Sequence, residues 1–327
     1  MVNGRFNVIR RALTGIGVCI AALWLLNTNL FTAVPVDQAP RLLSHRGVHQ
    51  TNGGAPRGND SCTANPMAPI THGFIENTIP SMQAAERAGA EVIELDVHLT
   101  PDNVFAVFHD WTVDCRTDGT GQTNQIAFAD LQKLDLGYGY SDDGVTFPLR
   151  GQGIGMMPSL ADVFAADIGA AYLVNFKSNN AAEGTQFAKM LDDPANAAQV
   201  FGVYGGAIPT QMALDKVMGL RGFDRGSLKA CLLRYFALGW SGYVPDTCRD
   251  TLVAVPMDYA PYFWGWPHRF TARMQNAGSD VILWGPYDGT GFSSGVDDAN
   301  TWVRVPRGFD GYVWTNKIEV IGPLAAR

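Results

Sequence analysis

One segment constrains this chain more than any other: Glu91-Val92-Ile93-Glu94-Leu95-Asp96-Val97-His98-Leu99. Read as a strand, its side chains alternate, so Ile93, Leu95, Val97 and Leu99 share one face and Glu94, Asp96 and His98 the other. The apolar face suits packing against helices, which turns the acidic face inward. Two carboxylates stacked inside a barrel repel and raise each other's pKa unless a cation lies between them. Hard divalent cations such as Ca2+ or Mg2+ take such oxygen ligands. Buried arginine or lysine would balance the charge equally well, and the segment by itself fits either.

The rest of the chain supplies the frame such a strand needs. Strand-like runs at 42–44, 92–99, 104–108, 172–176, 200–204, 228–235, 252–256, 281–284 and 311–314 alternate with helical patterns at 79–88, 160–166, 183–191 and 210–218. That alternation predicts a parallel α/β architecture. With 327 residues, 46% of them apolar, one large core is affordable in length, and a single (β/α)8 TIM barrel over 37–327 is the simplest reading. The formal net charge of −7 gives no basic footprint, so nucleic acid is not an expected partner. Phosphate chemistry here has to rely on a few placed cations.

Residues 1–36 stand apart. Arg5, Arg10 and Arg11 precede an apolar run from Ala12 to Leu26, and a second apolar stretch ends at Val36. This reads as a signal peptide or membrane anchor. No small-x-small cleavage site is evident and the run approaches the ~20 residues a bilayer span requires, which favours an anchor. The arginines stay cytoplasmic by the positive-inside rule, so the barrel is expected to be exported, periplasmic or extracellular. Outside this segment the cysteines are Cys62, Cys115, Cys231 and Cys248. An even count beyond the cytoplasm points to disulfides, with Cys62–Cys115 and Cys231–Cys248 the favoured pairing.

Two segments exceed ordinary connections: 48–75, rich in Gly, Pro, Asn and Thr, and 111–157, rich in glycine. Each follows a histidine motif, which favours a lid or substrate wall. The motifs themselves have one form. Leu42-Leu43-Ser44 runs into His45-Arg46-Gly47, and Val104-Phe105-Ala106-Val107-Phe108 runs into His109-Asp110. Polar residues at the C-terminal ends of barrel strands read as catalytic, so His45 and His109 are expected at one rim. Tyr172-Leu173-Val174-Asn175-Phe176-Lys177 puts Asn175 and Lys177 on one face. An inward lysine needs an anion; with Arg46 it could bind a phosphate, or it could pair with a barrel carboxylate. Trp284 and Trp314 end later strands and are candidates for an apolar substrate wall, more so than Tyr259, Tyr262, Phe263, Trp264 and Trp266. His49, His72 and His268 lie in loops, and His98 faces inward behind the others.

Taken in order, His45-Arg46-Gly47, Glu76-Asn77-Thr78, Glu94-x-Asp96, His109-Asp110 and Met157-Pro158-Ser159-Leu160 resemble the glycerophosphodiester phosphodiesterase family, including the thirteen residues from Asp96 to His109. The family's barrel is of the phospholipase C-like phosphodiesterase type. The likeness is firm over 41–177 and returns at Gly308-Phe309-Asp310-Gly311-Tyr312-Val313-Trp314. It implies hydrolysis of small glycerophosphodiesters or lipid-derived substrates, with His45 and His109 as acid and base. It further implies Ca2+ or Mg2+ on Glu94 and Asp96, phosphate on Arg46 and Lys177, and a site shaped by Glu76 and Asn77. Two positions depart from the pattern: Asn175 stands where the family commonly has a third acidic metal ligand, and Asn316 where it tends to have Asp. Asn175 could still ligate through its amide oxygen, with weaker affinity expected. Phospholipase C-like or sphingomyelinase D-like action on intact lipid is the rival activity, and a barrel that binds phosphodiesters without cleaving them the rival class.

Overall fold

The computed structural model describes residues 2–29, 32, 40–53, 62–289 and 294–326, without the side chains of 2–6 and 8. The apolar stretch up to Val36, the boundary at 36/37, the Arg5 side chain and residues 54–61 of the first long segment lie outside the described residues.

The strands are β1 (Arg41–His45), β2 (Ala90–Leu99), β3 (Phe105–Val107), β4 (Ala171–Phe176), β5 (Val200–Gly205), β6 (Gly222–Asp224), β7 (Leu252–Pro256), β8 (Asp280–Trp284) and β9 (Tyr312–Thr315). Helices α1 (Val2–Asn27), α2 (Ile79–Arg87), α3 (Phe128–Leu131) and α4 (Leu160–Ala165) occupy the first half. The second half holds α5 (Ala181–Met190), α6 (Pro194–Ala198), α7 (Ala207–Lys216), α8 (Arg225–Leu238), α9 (His268–Asn276), α10 (Ala299–Trp302) and α11 (Ile318–Ala325). Eight parallel strands run in the order β6-β5-β4-β2-β1-β9-β8-β7, a nearly closed barrel of the expected class. At the seam the Thr251 hydroxyl donates to the Gly222 carbonyl at 2.6 Å.

The alternation along β2 holds. Ile93, Leu95, Val97 and Leu99 join the core between strands and helices, while Glu94, Asp96 and His98 are buried on the other face. The barrel lumen is filled below them by Leu43, Val92, Leu173, Phe201, Ile282 and Trp314, among others. Parallel register then aligns the polar rim: His45 pairs with Glu94, Asp96 with Asn175, and Asn175 with Tyr204.

Two strand expectations are corrected. The run 104–108 is no barrel strand: β3 folds back antiparallel on β2, Val97 opposite Val107, because the five residues between them suit a hairpin and not a parallel crossover. The run 228–235 is the middle of α8. Asp224 accepts from Gly226 and Ser227 backbone N–H, and Ser227 Oγ bonds back to Asp224, so a capping box starts a helix there. The short strand at that place is β6.

The two long segments pack on each other. Met67, Ile75, Phe108, Val113, Leu136, Tyr140 and Leu149 form a separate small core beside the mouth, crossed by the disulfide Cys62–Cys115. The second disulfide, Cys231–Cys248, ties α8 to the turn before β7. Both pairings are as expected from the sequence.

Glu183, in the first turn of α5, is buried with Oε2 unpartnered, and burial pushes its pKa up to about 7. Between the usual carboxylate value and 7 the folded chain keeps a proton that the unfolded chain has lost, so stability falls as pH rises. From pH 5 to 8 the wild type should therefore lose up to about 3 kcal/mol more than Glu183→Gln. Urea unfolding midpoints across that range check it; parallel curves for the two proteins would refute it.

Candidate active site

The first histidine sits at a turn that few sequences can make. Arg46 has φ 58° and Gly47 φ 77°. A side chain at Gly47 would lie within 2.9 Å of Ser81 backbone atoms, so the helix α2 packs here only against glycine. Arg46 N–H donates to Glu94 O at 2.9 Å, and Asn77 N–H donates to Arg46 O at 3.1 Å. Asn77, also left-handed at φ 59°, bridges onward: its Nδ2 donates to Asp96 Oδ2 (3.0 Å) and its Oδ1 accepts from Asp96 N–H (3.2 Å). Two strained non-glycine residues locked to each other mark the place where geometry is held against preference.

His45 Nδ1 lies 2.6 Å from Asn316 Oδ1. Asn316 in turn gives Nδ2–H and its backbone N–H to the two oxygens of Asp297, each at 2.7 Å. With its amide N–H committed, Asn316 presents only oxygen, so His45 carries its proton on Nδ1 and a lone pair on Nε2. Trp314 packs on the ring, centroids 4.9 Å apart. Burial, then Arg46, holds His45 well below the ordinary imidazole value.

His109 arrives from the hairpin. Its Nδ1 lies 2.7 Å from Asp110 Oδ1, which again leaves the lone pair on Nε2, and His98 Nε2 lies 3.3 Å from its backbone oxygen. Burial, Arg46 and Lys177 lower its pKa too. Both imidazoles are reachable from solvent, with side chains 13% and 15% exposed. Asp110 is held by Thr63 Oγ1 at 2.8 Å and by Arg116 Nε at 3.4 Å.

The charges between them are nearly matched. Arg46 Nη1 donates to Glu76 Oε1 at 3.1 Å, and its Nε lies 3.0 Å from Asp96 Oδ2 as an ion pair without an aligned N–H. Lys177 Nζ is 3.6 Å from Asp96 Oδ1. Burial alone would raise Asp96, but Arg46 and Lys177 hold it far below the carboxylate range. Glu94 is the opposite case: burial and then Asp96 push it up, Tyr204 donates to Oε1 at 2.6 Å, and Oε2 accepts nothing.

That orphaned oxygen bears on a cation. Glu94 has an acceptor to offer, and the pair of carboxylates is of the kind a hard divalent ion takes, but Asp96 already faces Asn77, Asn175, Arg46 and Lys177, so an ion would have to displace some of them. Asn175 instead donates Nδ2–H to Asp96 Oδ1 at 2.8 Å, so its amide must turn over to ligate. Glu76 is committed to Arg46 and Arg116, and among the described residues no group of three or more His, Cys, Asp or Glu is placed to hold a metal. Trp284 and Trp314 meet at 6.3 Å in the lumen, and both indole N–H groups are buried without a protein hydrogen-bond partner.

Three contributors were not picked out in the sequence: Asp297, Tyr204 and Arg116. The first two come from distant segments with no motif around them. Arg116 had the one available signal, its place beside Cys115.

The sequence profile of the glycerophosphoryl diester phosphodiesterase family matches residues 45–232. The glycerophosphodiester phosphodiesterase of Caldanaerobacter subterraneus subsp. tengcongensis is 36% identical over 102 residues, 31% of this chain and 39% of that protein. Human glycerophosphodiester phosphodiesterase 1 is 38% identical over 65 residues, 20% of each chain. The chain thus spans well under half the length of these curated relatives. The glycerophosphoryl diester phosphodiesterase domain of a Mycobacterium tuberculosis protein superposes with TM-score 0.62 at 17% identity, covering 88% of this chain and 99% of that one. An Oleispira antarctica phosphodiesterase, solved in complex with the product sn-glycerol-3-phosphate, gives 0.53 at 15% identity, covering 88% and 97%. At such identities the likeness concerns the fold. The profile match covers more than half of the chain, from the first histidine into α8, and the chain belongs to the glycerophosphoryl diester phosphodiesterase family.

Proposed function

We propose that the protein hydrolyses small glycerophosphodiesters to glycerol phosphate and an alcohol, with His45 as general base and His109 as general acid. The observation that carries this reading is the pair of imidazoles fixed through Nδ1, each leaving Nε2 for substrate, above two inward cations. The partners divide the roles. His45 rests on a neutral amide and suits taking a proton. His109 rests on a carboxylate, Asp110, which stabilises an imidazolium.

In the first step a neighbouring glycerol hydroxyl gives its proton to His45 Nε2 and its oxygen bonds phosphorus. The phosphorus–alkoxy bond breaks and His109 protonates the leaving alcohol. Water then opens the cyclic phosphate with the two roles exchanged. Arg46 and Lys177 neutralise the phosphate oxygens, and that anion in turn offsets the two cations that lower both histidines. A Ca2+ or Mg2+ ion would be held by Glu94 and Asp96 with Asn175 as a neutral third ligand, and would supply positive charge beside the phosphate. We read the setting as the far side of a membrane, because two disulfides suit an oxidising compartment and α1 suits an anchor.

The test is release of glycerol phosphate from glycerophosphocholine by pure, folded protein, with Ca2+ or Mg2+ and again with chelator. Turnover that chelation abolishes is the expected result. No turnover of any glycerophosphodiester under either metal refutes the reading; turnover untouched by chelator refutes the cation alone.

A further inference from the structure

We infer that the barrel carries a built membrane seat: the exposed aromatic and aliphatic patch of Leu233, Phe236, Trp240, Tyr243 and Trp264 rests in the bilayer interface around the foot of α1. The inference rests on reading α1 as an anchor. Within Ile9–Asn27 of that helix an 18-residue window has mean hydropathy 1.6, and none of its residues is buried in the barrel. At 1.5 Å per residue such a helix is close to the ~30 Å thickness of the hydrocarbon core. Arg10 and Arg11 mark the end away from the barrel.

The other end is fastened. The last carbonyls of a helix lack internal partners. Here Leu26 O accepts from Arg269 Nη1 at 2.7 Å and from Arg273 Nη2 at 3.0 Å. Asn27 donates to Trp240 O at 2.9 Å and accepts from Arg273 Nη1 at 3.1 Å, while the Arg269 backbone N–H donates to Asn29 Oδ1 at 3.1 Å. Arg273 also donates to Gly239 O and Trp264 O, and Trp264 Nε1 donates to Phe236 O at 2.8 Å. The patch is therefore not merely near the helix end but bonded into the same network.

What that network displays is apolar. Leu233 is 58% exposed, Phe236 55%, Tyr243 47% and Trp240 45%. A contiguous apolar surface of this kind marks an interaction site, and tryptophan and tyrosine are the residues that favour the headgroup level of a bilayer. A helix that crosses the membrane and ends on this network leaves the patch no distance from the lipid surface. The occupant we assign is the bilayer, in preference to a second copy.

The full chain with Cys19→Ser and Phe236→Cys, labelled at 236 with an environment-sensitive nitrobenzoxadiazole and reconstituted in phosphatidylcholine vesicles, tests this. A parallel Tyr243→Cys label guards against misfolding of the first variant, and a label at Val145→Cys in the small lobe is the control. We expect blue-shifted emission at 236 and 243, quenched several-fold more than at 145 by lipid brominated near the headgroup. Labels at 236 and 243 as open to solvent as 145, in protein that stays with the vesicles under alkaline carbonate, overturn the seat and leave the anchor standing. Shielding without lipid quenching assigns the patch to a second copy and also overturns it. Release by carbonate overturns both.

Discussion

His109→Ala is expected to slow release of the alcohol from glycerophosphocholine about a thousandfold in a single turnover, while release of p-nitrophenol from a glycerophosphodiester carrying that leaving group is slowed far less. An alkoxide such as that of choline departs poorly without a proton, and His109, backed by Asp110 at 2.7 Å, is the group proposed to supply it. A nitrophenolate needs no such help. His45→Ala should cost about the same thousandfold on both substrates, because the attacking hydroxyl is common to them and its proton has to be taken in either case. KM should move little in both variants, since Arg46 and Lys177 keep their contacts with the phosphate. Single-turnover release of the leaving group by the two variants on the two substrates decides, because the second step uses His109 as base whichever alcohol has left. Equal losses for His109→Ala on both would show that the histidine is not the acid. A selective loss for His45→Ala would exchange the roles.

The proposed division of roles lies beyond the sequence, and the reason is physical. Strand alternation made Glu94, Asp96 and His98 legible as an inward set, because period-2 geometry is local and survives any tertiary context. His45 was legible for the same reason, at the end of a true barrel strand. His109 is legible at the end of its own apolar run, 104–108, but is delivered differently, by a hairpin that the turn residues Pro101-Asp102-Asn103 announce. The helix α8 is not legible as one from its middle, because a short apolar run such as Ala230-Cys231-Leu232-Leu233 fits strand and helix alike, and the deciding signal is the cap at Asp224, outside the run. What fixes each imidazole was only half visible. Asp110 adjoins its histidine in the chain. Asn316 was noticed as a departure, but Asp297, which orients it, lies 19 residues earlier in a segment without periodicity. Contacts of that kind are made by tertiary packing alone.

Arg116→Leu should be the most damaging substitution outside the histidines. The guanidinium is 1% exposed; it lies 2.7 Å from Glu76 Oε1 and 3.4 Å from Asp110 Oδ2, donates to Tyr140 Oη at 2.9 Å and also reaches Thr63. Removing it leaves two carboxylates in an apolar lobe with half their compensation gone. Breaking a buried pair in this way costs about 3–5 kcal/mol, well above the cavity cost, since leucine fills much of the space. The urea midpoint should fall accordingly. Activity should fall as well, because Asp110 loses the cation that steadies it against His109, and Glu76 is left to Arg46 alone. Arg116→Lys separates the two effects: it keeps the charge but cannot address Glu76, Asp110 and Tyr140 at once, so part of the stability should return while kcat stays low. If Arg116→Leu unfolds at the wild-type midpoint, the two carboxylates are not sustained by this arginine, and the lobe is not what holds His109 in place.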